Sequence, residues 1–144
     1  MRNLTFILLA CACATTPKNT DSARQTLRYK VQGVSVVHVI DSSLPTLNIT
    51  YQFPHGADAE STDEIGASRL LAALMTKGAN GRSAMKTAER VDALGGSISG
   101  SASRDTMRFT AGGLSRDLAA LSDLLAQTVR QPNLDDKEFQ RLKR

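Results

Sequence analysis

Between Thr46 and Phe53 every second side chain is apolar: Leu47, Ile49, Tyr51 and Phe53 alternate with Thr46, Asn48, Thr50 and Gln52. A β-strand turns successive side chains to opposite faces, so this run demands a sheet with one dry face and one wet face. The dry face must be covered, and helices are the usual cover. Upstream, Val34 to Ile40 is a β-branched run that predicts a strand buried on both faces. Asp41 to Pro45 carries turn residues between the two runs and predicts that they pair.

Ser61 and Glu64 have the spacing of a capping box. They predict a helix running to about Met75, with Ile65, Leu70, Leu71, Leu74 and Met75 inward and Gly78 as its stop. A second helix is expected from Ser83 to Gly95-Gly96, with Met85, Ala88, Val91 and Leu94 inward. Two further strands follow, Ser97 to Ser103 and Thr106 to Ala111, the latter with Met107, Phe109 and Ala111 on one face. Ser115 opens a third helix that buries Leu118, Leu121, Leu124 and Leu125 and is closed by Pro132. Asp135 opens a fourth, which has no terminator, and its Phe139 and Leu142 have no evident partner. Paired strands between paired helices predict an α+β fold: a mixed, mainly antiparallel sheet with helices packed on one face, incomplete at the C-terminus.

With 4% aromatic residues and no tryptophan, the core of such a fold must be built from Leu, Val, Ile, Ala and Met. The formal charge of +4 is dispersed among acids, and the one basic cluster, Arg141, Lys143 and Arg144, ends the chain. A nucleic-acid interface needs basic residues gathered on one face with stacking aromatics, so no nucleic-acid partner is expected.

The first residues have the form of an export signal. Arg2 supplies the positive end, and Leu4 to Ala10 form an apolar run too short to span a bilayer. Leu8-Leu9-Ala10-Cys11 looks like a bacterial lipoprotein processing site, with Cys11 as the lipidated residue; cleavage after Ala12 or Ala14 by an ordinary signal peptidase is the alternative. Residues 1–14 are therefore read as a signal peptide of lipoprotein type and residues 15–27 as a flexible tether. The expected location is the bacterial periplasm, on the outer membrane. Both cysteines, Cys11 and Cys13, fall in this leader, which leaves residues 28–144 without a thiol for catalysis or metal binding.

Candidate chemistry in the remainder is sparse. His38 and His55 each lack a second ligand at metal spacing and are read as a strand and a turn residue. Asp58, Glu60, Asp63 and Glu64 precede a helix, where negative charge is favourable; calcium binding is the weaker reading. Ser101, Ser103 and Asp105 have no histidine to complete a hydrolytic triad. The glycines from Gly95 to Gly100 lack the lysine of a phosphate loop, and are expected to let a strand lie close to a neighbour or line a peptide cleft.

One set of short motifs, in order and spacing, resembles a known family. Gly56-Ala57, Glu64, Gly66 and Lys77-Gly78-Ala79 are followed by Gly81-Arg82-Ser83, Leu94-Gly95-Gly96 and Ser103-Arg104-Asp105-Thr106. Leu114, Asp117-Leu118, Leu124-Leu125 and Gln131-Pro132 continue the series. From Tyr29 to Arg144 the chain resembles the N-terminal part of the pitrilysin family of zinc peptidases, which includes insulinase and the mitochondrial processing peptidase subunits. The resemblance implies a half-domain of metallopeptidase type over residues 28–144. It also implies a zinc helix bearing H-x-x-E-H, whose residues at i, i+3 and i+4 share one face. Anchored on Gly66 and Lys77-Gly78, those positions here are Arg69, Ala72 and Ala73. Alanine offers no lone pair and no titratable proton, and a guanidinium repels a divalent cation. No catalytic residue, metal ligand or cofactor is therefore expected in this chain. The implied role is a non-catalytic homologue that helps a zinc-bearing partner subunit bind and cut a peptide or unfolded protein substrate. The alternatives are a lipid-anchored binding or assembly module without proteolytic role, or a truncated product without independent function.

Overall fold

The computed structural model describes residues 25–144, so the expected signal peptide, the Cys11 lipidation site and most of the tether lie outside the described residues. The chain divides into two compact units, one ending at Ser43 and one spanning Leu44–Arg144.

In the first unit, β1 (Gln25–Val31) and β2 (Val34–Ile40) form an antiparallel hairpin, Val31 opposite Val34, around a two-residue Gln32-Gly33 turn in which both φ angles are positive. Three expectations fail here. Gln25, Thr26 and Leu27, assigned to the tether, open β1. β2 is not buried on both faces, since Val37 and Val39 are exposed. Nor does β2 pair with the Thr46–Pro54 strand; its partner is β1. The tight turn brings β1 and β2 together at once, whereas Asp41 folds the next segment locally by accepting from the amide and hydroxyl of Ser43 at 3.0 and 2.6 Å.

The second unit is built on an antiparallel three-stranded sheet. β3 (Thr46–Pro54) and β4 (Ser97–Ala102) flank a central β5 (Thr106–Leu114). The register sets Ile49 and Ile98 on either side of Ala111, and Tyr51 and Gly100 on either side of Phe109. One face is thereby apolar throughout, as the β3 alternation requires. The other carries Thr50 bonded to Thr110 at 3.2 Å and Arg108 bonded to Gln52 at 2.9 Å, both exposed. Between β3 and β4 run α1 (Ala67–Met75) and α2 (Ala84–Ala93), and after β5 come α3 (Leu118–Arg130) and α4 (Asp136–Leu142). The core joins Ala72 of α1 and Leu125 of α3 to Phe109 and Ala111 of β5, with Ile49, Phe53, Met75, Ile98 and Met107 packed around them. Phe53 meets Phe109 edge-on at 6.2 Å, a favoured aromatic geometry.

The helices differ in detail from their expected form. The Ser61–Glu64 capping box is present, but it closes a single 3-10 turn, Thr62–Glu64; α1 begins later, at Ala67, and Ile65 is 80% exposed. In α2 the inward residues are Thr87 and Val91, while Met85 is 70% exposed and Ala88 also faces solvent. Leu118 is exposed, because a 3-10 turn, Ser115–Asp117, carries the chain into α3 before its buried stripe of Leu121, Leu124 and Leu125 begins. Asp135 caps α4 as expected, accepting from Lys137 and Glu138 amides at 2.9 and 3.3 Å. α4 lies against α1, and Phe139 and Leu142 are half-buried.

Candidate functional site

The start of α1 is held by residues that precede it by several positions. Gly66 turns the chain into the helix with φ of 92°, a left-handed conformation that a side chain would strain. The carboxylate of Glu60 reaches forward to this turn, accepting from the amides of Gly66 at 2.8 Å and Ser68 at 2.7 Å. Two orphan donors of the helix end are thus satisfied by a charge that also suits the helix dipole. These amides, Gly66 first, hold the Glu60 carboxyl below its ordinary range, and it stays ionised at neutral pH. The Ser68 hydroxyl donates to the Gly56 carbonyl at 3.1 Å, which ties the helix to the loop before it.

That loop is fastened to the β4–β5 turn. The amides of His55, Ala57 and Asp58 donate to the carbonyls of Asp105, Ser103 and Arg104 at 2.9, 3.0 and 2.7 Å. The approach is close: a side chain at Gly56 would meet the Ser103 carbonyl at 2.2 Å. Asp58 accepts from the Gly56 amide at 2.8 Å, which lowers its pKa, and it lies 3.7 Å from the exposed imidazole of His55. Glu64 is likewise lowered, chiefly by the Ser61 hydroxyl. The acidic cluster read from the sequence therefore separates, with Asp58, Glu60 and Glu64 each committed to a local donor. Ser103 bonds Asp105 at 3.0 Å within its own turn. His38 lies in β2, in the other unit. Among the described residues no group of three or more His, Cys, Asp or Glu side chains is placed to hold a metal ion.

The three candidate motif positions have three different surroundings. Arg69 is exposed, Ala73 is half-buried, and Ala72 is fully buried against Phe109, Ala111 and Leu125. Below Ala72 the helix backbone rests on β4 at Gly100, where a Cβ would come within 2.2 Å of the Ala72 carbonyl oxygen. Close strand-to-neighbour approach, expected of the Gly95–Gly100 stretch, is thus realised at Gly100. Arg69 opens onto a cleft of about 250 Å³ that it shares with Ala57, Glu60, Ile65, Gly66, Ser103 and Arg104. Neither the forward reach of Glu60 nor the placement of Arg104 was read from the sequence. The first spans six and eight residues, which no short capping motif describes, and the second depends on the 55–58 loop meeting the distant β4–β5 turn; Arg104 stood out in the sequence only as part of a family-like run. The donor set around α1 does not fit zinc: alanines have nothing to donate, and a guanidinium is itself cationic.

Comparison with known proteins decides the family. Residues 35–144 match the family described as Insulinase (Peptidase family M16). The chain belongs to this insulinase family. The mitochondrial-processing peptidase subunit alpha of Neurospora crassa is 33% identical over 75 residues, 52% of this chain and 13% of that protein. Its counterpart from Solanum tuberosum is 30% identical over 94 residues, 65% of this chain and 19% of that protein. Among solved structures, an M16 peptidase inactive domain from Pseudomonas fluorescens superposes with a TM-score of 0.75 at 21% identity, and a protease from Helicobacter pylori with 0.70 at 20%. Each alignment covers 83% of this chain and 29% of the other. The insulinase-family fold is thus shared, and the chain spans under a third of each of these relatives.

Proposed function

We propose that this chain is a non-catalytic member of the insulinase family that lends peptide-contacting surface to a zinc-bearing family partner. One observation carries the reading. Arg69, Ala72 and Ala73 stand where the family's zinc motif is expected, on a helix whose capping by Glu60 and packing on β4 are intact. A helix kept in place while its candidate ligand positions hold no ligand suits a binding or scaffolding role better than a hydrolytic one. The reading gains support from its relatives: one is named a subunit of a processing peptidase, another an inactive domain. Export to the periplasm and lipid attachment through Cys11 complete the proposal, since a leader of that form precedes the fold.

The test is reconstitution. The full chain is purified alone and together with a zinc-bearing family protein from the same organism, and peptide cleavage and metal content are measured. The chain alone is expected to retain no stoichiometric zinc and to cleave nothing, while the mixture cleaves faster than the partner by itself. A mixture no faster than the partner removes the proposed assistance, and zinc-dependent cleavage by the lone chain removes its non-catalytic character.

A further inference from the structure

The cleft at the start of α1 is lined by two arginines, Arg69 and Arg104, and by one acidic residue, Glu60. Among the described residues neither guanidinium makes a hydrogen bond or an ion pair. Glu60 favours its own ionised form partly through Arg69, but its two oxygens are occupied by the Gly66 and Ser68 amides. Arg104 is carried there by the β4–β5 turn, which the 55–58 loop fixes through three backbone hydrogen bonds, so its backbone is anchored while its side chain stays free. The other nearby acids are engaged: Asp58 with the Gly56 amide and His55, Asp105 with the Ser103 hydroxyl. Ile65, largely exposed, and Ala57 give the same cleft an aliphatic wall.

From this we infer that the cleft is a carboxylate-binding site for a peptide, taking the carboxylate between Arg69 and Arg104 and an adjacent aliphatic side chain against Ile65. Guanidinium forks match a planar carboxylate bidentately. The volume of about 250 Å³ admits one or two residues and no more. Inorganic phosphate has no apolar group to set against Ile65 and Ala57, so the aliphatic wall favours a peptide carboxylate over it. The inference deepens the proposed function and rests on it in one respect: Arg69 must stand free of zinc chemistry.

The experiment is fluorescence anisotropy on the full chain with short labelled peptides of one sequence ending in an aliphatic residue, as free acid or as amide. A third peptide is amidated but carries a glutamate beside the aliphatic residue, and inorganic phosphate serves as competitor. The free-acid peptide is expected to bind about tenfold or more tightly than the plain amide, and R69A and R104A each to lose about tenfold, as expected for a charge-assisted hydrogen bond. R69K is expected to recover part of the loss. Binding of the glutamate peptide at the level of the free acid also supports the site and assigns the carboxylate to a side chain. Equal binding of acid and plain amide by the wild type overturns the inference, and this comparison needs no folded variant. Unchanged affinity in both arginine variants overturns it too, as does phosphate competing more strongly than the free-acid peptide. Peptide binding that leaves a zinc-bearing partner's rate unchanged would sink the proposed assistance and leave this site standing. Faster cleavage with acid-insensitive binding would do the reverse.

Discussion

The contact between α1 and β4 at Gly100 offers the most direct check on how this unit is held together. In G100A the added methyl carbon would lie 2.2 Å from the Ala72 carbonyl oxygen, 3.0 Å from the Ala72 carbonyl carbon and 3.0 Å from Cε1 of Phe109. The first two atoms are helix backbone and the third belongs to a fully buried ring, so no flexible side chain can move aside. Relief requires α1 to lift from the sheet by roughly 1 Å, given ordinary carbon contact distances. Overpacking of a tight core costs about 1–3 kcal/mol, and a backbone obstacle places this case at the upper end. Against it stands a gain of about 0.4–1 kcal/mol from the stiffer unfolded chain when glycine becomes alanine. The clash wins by about 2 kcal/mol, which lowers the melting temperature by roughly 8–16 °C for a unit of this size. Thermal denaturation followed by circular dichroism reads the shift, with S99A as control because Ser99 is exposed on the opposite, polar face. A G100A protein melting within about 2 °C of wild type would show that α1 does not rest on β4 as described, since the estimated cost is several-fold larger.

Replacing Glu60 by Gln removes the charge that caps α1 and lowers the melting temperature at neutral pH. Because the folded pKa of Glu60 is depressed, its contribution is present above the unfolded value and lost as pH falls through the folded one. The gap between E60Q and wild type should therefore close in acid; a gap that is constant from neutral to acidic pH refutes the capping role. Asn133 accepts from the Gly81 amide at 3.0 Å and donates to the Arg82 carbonyl at 2.6 Å, pinning the loop between α1 and α2. N133A should cost about 1–2 kcal/mol by urea unfolding, and an unchanged midpoint contradicts it. A72E places a carboxylate in a fully buried position and should destabilise by about 3 kcal/mol or more at neutral pH. Burial would raise the pKa of that carboxyl, so the deficit should shrink toward the unfolded pKa; wild-type stability for A72E at neutral pH rules out the core role of position 72.

The sheet was legible where the period was strict. β3 alternates without a break, and β5 presents Met107, Phe109 and Ala111 on one face; those are the residues found facing the helices. β1 was missed although Leu27, Tyr29 and Val31 alternate too, because Thr26, Arg28 and Lys30 between them have the polarity of a tether. The pairing of β2 with β3 was inferred from turn residues alone. Turn chemistry says that a chain bends, not what it bends toward, and β3 finds its partner some sixty residues away in β5. For α1, the local pattern pointed to the Ser61–Glu64 box, while the helix is capped from Glu60 at a separation that no short motif describes. The zinc-motif positions came from family resemblance. Arg104 lines the cleft only because two loops are laced together.

Arg69, Ala72 and Ala73 also differ in what a substitution could restore. A metal site needs side chains converging on one point, each with a lone pair and with room for the ion between them. Position 72 is closed off by Phe109 and by the backbone contact at Gly100, and position 73 is half-covered. Only position 69 opens outward, and it carries a fixed positive charge next to a second one at Arg104. Histidines placed at 69 and 73 would therefore supply two ligands, but a glutamate at 72 would have to displace core packing before it could reach them. Two arginines beside one carboxylate leave the cleft net positive, which favours an anionic guest over a cation. Under the proposed reading, the start of α1 holds a peptide by its carboxylate and hydrolysis belongs to the zinc-bearing partner.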